Sequence, residues 1–114
     1  METVRTMHPF ILGCATFPED LPTRGVACKK DGQYLISLDK SLDLRDWMRL
    51  LKFGLSQIYL GHLENDRCIE ADDMSFASDA DFDEAWTYAD QMTDKEFHRL
   101  MKSLVTIIRL GEVK

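Results

Sequence analysis

This chain of 114 residues has little of several residue types that mark common protein classes. Its three cysteines, Cys14, Cys28 and Cys68, are an odd number at unrelated spacings, which excludes a disulfide framework and a zinc-finger pattern. Only three prolines and six glycines argue against a disordered chain. No apolar run approaches the ~20 residues of a membrane span, and the N-terminus lacks a signal-peptide pattern. We therefore expect a single cytoplasmic domain over residues 1–114, with its cysteines kept as reduced thiols.

Basic residues are scarce in one stretch of the chain. Residues 64–96 carry twelve acids and two bases, a net charge of −10, whereas residues 1–63 have a net charge of +1 and residues 97–114 one of +3. The overall charge of −6 therefore conceals an acidic block between neutral and basic flanks. Such a charge distribution affects partners and association rates rather than fold.

The first third of the chain has the pattern of a β-sheet. Residues 10–17 are mostly apolar, and two further strand-like runs, 25–28 and 33–38, flank a short polar turn. The turn contains Asp31-Gly32, a strong hairpin signal, because glycine accepts the positive φ that such turns require. Residues 68–70 could add a short strand to this sheet.

A first helix is predicted over about 42–60, with Ser41 or Asp43 as its N-cap. Its apolar residues recur at helical spacing and form one face: Leu44, Trp47, Met48, Leu51, Leu55 and Ile58. Phe53 and Leu60 lie roughly opposite this face. Either the helix is sandwiched within the domain, or these two residues mark a contact surface. Gly54 in mid-helix indicates a kink or a close approach.

Two more helices are predicted in the second half. One covers about 80–92, is capped by Ser78 or Asp79, and has an apolar stripe of Phe82, Ala85, Trp86 and Ala89. Thr93 and Glu96 form a capping box that opens a third helix to about Leu110, with Gly111 as its C-terminal cap. The predicted shared core is Trp47, Leu51, Leu55, Phe97, Leu100, Met101 and Leu104. The fold class is therefore α+β: a small N-terminal antiparallel sheet, made of a hairpin plus one or two strands, packed against three helices.

No catalytic or metal-binding motif is complete. Residues 79–83 imitate the start of an EF-hand calcium loop, but Glu84 stands where the glycine of the sharp turn is required. His62 has several acids nearby, without the fixed spacing of a known metal site. We therefore expect no metal and no cofactor. Cys14 with His8, or Cys68 with His62, could pair as nucleophile and base, and any two carboxylates could converge for acid–base chemistry.

The sequence is compatible with three functions. The favoured one is a non-catalytic protein-binding module that uses an acidic surface to dock on a basic partner, as inhibitors of nucleases, immunity proteins that neutralise toxins and nucleic-acid mimics do. The predicted docking carboxylates are Asp72, Asp73, Asp79, Asp83, Glu84 and Asp90, and the competing apolar anchors are Trp86, Phe53 and Leu60. A small enzyme that uses carboxylates or a Cys–His pair is one alternative. A regulator that binds nucleic acid is the other, through a basic stripe of Arg45, Arg49 and Lys52 and a second one of Lys102 and Arg109.

Overall fold

The fold belongs to the predicted α+β class. A computed structural model describes residues 7–21, 23–64, 68–70 and 80–112, with the backbone alone for 68–70, 80–82 and 109–112. Its elements in chain order are β1 (Phe10–Thr16), β2 (Gly25–Lys30), β3 (Gln33–Asp39), α1 (Leu44–Tyr59), β4 (Cys68–Glu70), α2 (Ala80–Gln91), α3 (Asp94–Met101) and β5 (Leu104–Glu112). The strands form one sheet in the order β4-β2-β3-β1-β5.

The predicted hairpin is confirmed. Strands β2 and β3 pair antiparallel with Lys30 opposite Gln33, which leaves only two residues in the turn. Both turn residues have positive φ, 52° for Asp31 and 77° for Gly32, as a type I′ turn requires. Strands β1 and β4 also lie where the sequence places them.

The sheet is mixed rather than purely antiparallel. Strand β2 runs antiparallel to β3 and β4, but β1 is parallel to both β3 and β5. Parallel neighbours cannot be joined by a tight turn, since the chain must return to the same end of the sheet before it starts the next strand. Strand β2 completes the return between β1 and β3, while the three helices, with β4 after the first, connect β3 to β5.

Helix α1 has well-defined ends. Asp43, one of the two predicted caps, accepts a hydrogen bond at Oδ1 from the Asp46 N–H at 2.8 Å. At the other end Gly61 has φ of 79°, its N–H donates to the Ile58 carbonyl at 3.1 Å, and the His62 N–H donates to the Gln57 carbonyl at 3.0 Å. This pair of bonds is a Schellman motif, with glycine at the position that needs positive φ. The motif turns the chain so that His62 follows the helix directly.

Helix α1 is sandwiched between the sheet and the other two helices. It contacts β2 and β3 on one side and α2 and α3 on the other. The exposed fractions of Phe53 and Leu60 are therefore only 2% and 8%, so both are core residues and not a contact surface. Leu44, which was assigned to the apolar face, is 76% exposed because it begins the helix beyond the edge of the core.

The third helix is shorter than predicted, and a strand follows it. Thr93 caps α3, as predicted, by accepting from the Glu96 N–H at 3.1 Å. The helix ends at Met101, however, and the apolar residues after it form β5 beside β1. Gly111 is therefore a strand residue and not a helix cap. The physical reason is that residues 105–108, Val-Thr-Ile-Ile, are all β-branched and favour the extended pairing that β1 offers.

The predicted core is confirmed in part. Leu51, Leu55, Phe97 and Leu100 are buried. Trp47, Met101 and Leu104 are only half-buried and pack against the edge of the cluster. For Leu104 the cause is the change from helix to strand, which places it at the start of the outermost strand.

Candidate functional site

The predicted docking carboxylates that the structure describes lie on helix α2. Asp83, Glu84 and Asp90 are all exposed, as the sequence predicts. Asp72, Asp73 and Asp79, the other predicted docking carboxylates, lie outside the described residues, and so do both predicted caps of this helix. Helix α2 is therefore the part of the predicted acidic surface whose geometry is known.

Helix α2 separates its acids from its core contacts. Ala85 and Ala89 are 0% and 4% exposed and, four positions apart, form the face that packs on α1. Asp83 and Asp90 are seven positions apart, which is close to two full turns, so they share a face. Thr87, between them on that face, is also exposed. The result is a polar face with a carboxylate near each end.

The basic side chains of α1 do not neutralise this face. The Arg49 guanidinium carbon lies 4.4 Å from the centroid of the Trp86 ring, and Lys52 Nζ lies 5.8 Å from that of Phe97. Both contacts are cation–π interactions, in which the positive charge meets the negative face of an aromatic ring. The predicted basic stripe is thus partly used in packing α1 against α2 and α3.

Trp86 is held between two neighbours. Its ring stacks on Phe53 with the centroids 4.3 Å apart and the planes at 28°, and Arg49 lies over the ring as well. The indole is half-buried. It therefore stabilises the contact between α1 and α2, and its role as a protruding anchor for a partner is not supported by this placement.

Three acids of the block form specific internal contacts. Glu64 accepts hydrogen bonds from Tyr34 Oη at 2.8 Å and Lys29 Nζ at 3.2 Å. These two bonds, that from Tyr34 above all, lower the pKa of Glu64 below its ordinary value. Its charge is therefore held in place by partners from β2 and β3.

Glu96 is used in the same way. Arg99 donates to it from Nη2 at 2.7 Å, and the Tyr88 hydroxyl donates to the same carboxylate oxygen. Hydrogen bonds from Arg99 and Tyr88 lower the pKa of Glu96, while burial and the contact with Glu96 raise the pKa of Tyr88. This cluster joins α2 to α3.

Glu84 takes part in the third internal contact, with His62. Nε2 of His62 lies 2.7 Å from Glu84 Oε1, and Nδ1 lies 2.8 Å from Gln57 Oε1. His62 and Gln57 are 7% and 0% exposed, whereas the Glu84 side chain is 48% exposed. The histidine thus bridges α1 to α2. The sequence does not predict this bridge, because a separation of 22 residues between His62 and Glu84 carries no local signal. The one local signal is Gly61 after α1, which favours the turn that brings His62 back to Gln57.

Asp83 and Asp90 differ from these three acids. The ion pairs within the described part of the chain involve Asp39, Glu64, Glu84 and Glu96 as the acids. None of them includes Asp83 or Asp90. Both carboxylates are thus exposed on the outer face of α2, without a cation from the described residues beside them.

The predicted Cys–His pairs are not supported as catalytic centres. Cys14 is opposite Leu38 in the β1–β3 register, whereas His8 stacks on Tyr34, which is opposite Phe10. The two positions differ by four residues, about 13 Å along a strand. The alternative base, His62, has Gln57 and Glu84 at its two ring nitrogens, so neither nitrogen is open to a thiol. Side-chain geometry for Cys68 lies outside the description.

Two other kinds of site concern the described ranges, a metal centre and a membrane span. There, no three histidine, cysteine, aspartate or glutamate side chains come close enough together to hold a metal ion. None of the helices described is long and apolar enough to cross a membrane.

Comparison with protein families, with curated proteins and with solved structures found no match for this chain. The geometry of α2 and its neighbours is therefore the basis for a functional proposal.

Proposed function

We propose that this protein is a non-catalytic binding module whose acidic surface on α2 docks on a basic protein partner. The observation that carries this proposal is the state of Asp83 and Asp90. Both are exposed on one helix face, and no cation of the described chain forms an ion pair with either. Glu64, Glu84 and Glu96, by contrast, have partners within the fold.

The physical basis of such docking is long-range attraction. Unpaired carboxylates on one face generate a negative potential that raises the local concentration of a positively charged protein and accelerates encounter. The 64–96 block to which both belong has a net charge of −10, and its other acids would extend this field. A nuclease, a toxin or another nucleic-acid-binding protein has the complementary basic surface. We place this interaction in the cytoplasm, where the three cysteines would be kept as thiols.

Direct nucleic-acid binding is the weaker proposal. Two of the three residues of the basic stripe on α1, Arg49 and Lys52, lie over aromatic rings within the fold. Phosphate binding needs cations that can reach the backbone of the nucleic acid, and its affinity grows with the number of phosphates neutralised. Helix α2, which packs on α1, carries exposed carboxylates that would repel phosphates.

The test is capture from a lysate of the native host with matched baits. Wild-type protein is compared with Asp83→Asn/Asp90→Asn and with a control, Glu19→Gln/Asp20→Asn, which removes the same charge from two exposed acids after β1. We expect a basic protein bound by the wild type and the control and lost from the α2 variant. Equal capture by all three baits would show that the α2 carboxylates only solubilise the chain.

Kinetics with the captured partner then separate steering from contact. We expect the α2 variant to associate several-fold more slowly, with a flatter dependence on salt, while its dissociation rate changes less. An association rate, salt slope and dissociation rate that are all unchanged would place the interface elsewhere and overturn the proposal.

A further inference from the structure

Two of the cysteines, far apart in sequence, occupy facing positions in the sheet. Strands β2 and β4 pair antiparallel, and in their register Cys28 is directly opposite Cys68. The two flanking pairs, Ala27 with Ile69 and Val26 with Glu70, continue the same register without interruption. The juxtaposition therefore depends on the whole short ladder and not on a single contact.

Facing positions of an antiparallel ladder suit a disulfide bond. Directly opposite residues have their Cα atoms about 4.5–5.5 Å apart and their Cβ atoms on the same face of the sheet. Disulfides need a Cα separation of about 4.4–6.8 Å, so the backbone register brings this pair within range without rearrangement.

The position of Cys28 in the sheet places the proposed bond away from the core under α1. Its neighbour Ala27 belongs to the core cluster under α1, and successive strand residues alternate between faces, so Cys28 is on the face away from that helix. Cys28 is a thiol in this structure and is 7% exposed. Bond formation there would leave the helix-covered core intact.

Cys14 provides an internal comparison. Cys14 is opposite Leu38 of β3, and Leu38 is opposite Gly25 of β2. Cys14 is therefore three residues from Cys28 along the strand direction and two strands from it across the sheet. The usual spacings of residues and strands in a sheet make this separation about 14 Å, which is well beyond the reach of a disulfide. Only the Cys28–Cys68 combination fits among pairs that include Cys28.

We propose that Cys28 and Cys68 are a redox-modification site, which forms a cross-strand disulfide on reaction with a low-molecular-weight disulfide such as oxidised glutathione. The thiolate of one cysteine attacks the oxidant's S–S bond, releases one glutathione thiolate and leaves a mixed disulfide on the protein. The thiolate of the other cysteine attacks the protein-bound sulfur and releases the second glutathione. One S–S bond forms in the protein and one is broken in the oxidant, and the two cysteine protons end on the two glutathione thiols.

The bond would secure the weakest edge of the sheet. Strand β4 has three residues and pairs only with β2 among the described strands, and it precedes the acidic residues that lead to α2. A cross-link between residues 28 and 68 restricts the unfolded chain over a long loop and so stabilises the folded state. The site is independent of the proposed docking function, since it requires only the register of β2 and β4.

The experiment uses the full chain, reduced, desalted and incubated with excess oxidised glutathione. Trypsin digestion without reductant, after blocking of thiols, should give a cross-linked pair of peptides, 25–29 joined to 68–95, because cleavage sites flank both cysteines. The intact mass should fall by that of two hydrogens, and one thiol, on Cys14, should remain. Cys14→Ser is the matched control and should give the same cross-link.

Single variants make the outcome decisive. Cys28→Ser and Cys68→Ser should each stop at a mixed disulfide with one glutathione on the remaining member of the pair. In the wild type and in Cys14→Ser, oxidation should raise the melting temperature by several degrees, to the order of 10 °C, and reductant should reverse the rise. A stable mixed disulfide on wild-type Cys28, a bond from Cys14, or a cross-link formed only in urea would overturn the proposal.

Discussion

Gly54 is the position at which the structure makes the most stringent stability prediction. In a helix interior, alanine is preferred to glycine by about 1 kcal/mol, so the sequence alone predicts that Gly54→Ala stabilises the protein. In the structure a Cβ at this position would lie 3.0 Å from Cδ1 and Cγ2 of Ile36 and 3.1 Å from its Cγ1. Ile36 is 1% exposed and cannot turn aside, because the three atoms include both branches of its side chain.

The two effects have opposite signs, and their sizes decide the result. Overpacking a dense core costs about 1–3 kcal/mol, which exceeds the gain in helix propensity. We therefore expect Gly54→Ala to lower the free energy of unfolding by about 1 kcal/mol. Urea denaturation followed by far-ultraviolet circular dichroism measures this change, and an unchanged m-value would show that the two states remain comparable.

A second background isolates the clash. Ile36→Ala removes all three contacting atoms and by itself costs about 2–5 kcal/mol. In that background Gly54→Ala should become stabilising by up to about 1 kcal/mol, so the coupling between the two positions should be about 2 kcal/mol. If Gly54→Ala stabilises the wild-type protein, or has the same effect in both backgrounds, the close packing of α1 on β3 is wrong.

Two further predictions follow from burial and charge. Leu100→Ala should lower the free energy of unfolding by about 2–5 kcal/mol, since Leu100 is fully buried. Leu104→Ala should lower it clearly less, since Leu104 starts an edge strand. Equal losses for the two variants in urea denaturation would contradict the placement of Leu104 in β5. Burial alone raises the pKa of Asp39, but hydrogen bonds from Ser41 and Arg24 outweigh it and hold that pKa below its ordinary value. The stability that Asp39 contributes is therefore fully present above the pKa of the unfolded state and is lost as pH falls through the lower pKa of the folded state. Asp39→Asn removes this contribution. The free energy of unfolding, measured between pH 6 and about 2, should therefore fall less steeply in the variant than in the wild type.

The C-terminal segment shows why a helical period can mislead. Apolar residues at positions 97, 100, 101, 104, 107 and 108 fit one helix face, and that spacing extended the predicted third helix to residue 110. The same stretch contains four consecutive β-branched residues, at 105–108, a signal for strand that the period concealed. The strand forms because the edge of β1 supplies hydrogen-bond partners to the backbone of β5 in a parallel ladder.

Among the predicted docking residues, the exposure of some follows from the sequence, and the burial of others depends on the tertiary structure. Exposure of Asp83, Glu84 and Asp90 followed from their positions off the apolar stripe of α2, and the structure places them there. Phe53 could not be assigned from its own helix, because its burial depends on a ring from α2. The pairing of His62 with Glu84 and the register of Cys28 with Cys68 are equally invisible to local patterns.

The sequence by itself determined the elements whose causes are local. The Asp31-Gly32 turn, the Thr93 cap and the glycine that ends α1 each need only a few neighbouring residues to form their hydrogen bonds or to adopt positive φ. The tertiary structure decided which strands became parallel neighbours, which face of α1 was covered, and which of the described acids formed ion pairs. These outcomes depend on groups brought together across tens of residues, where the energy of a contact exists only once the chain has folded.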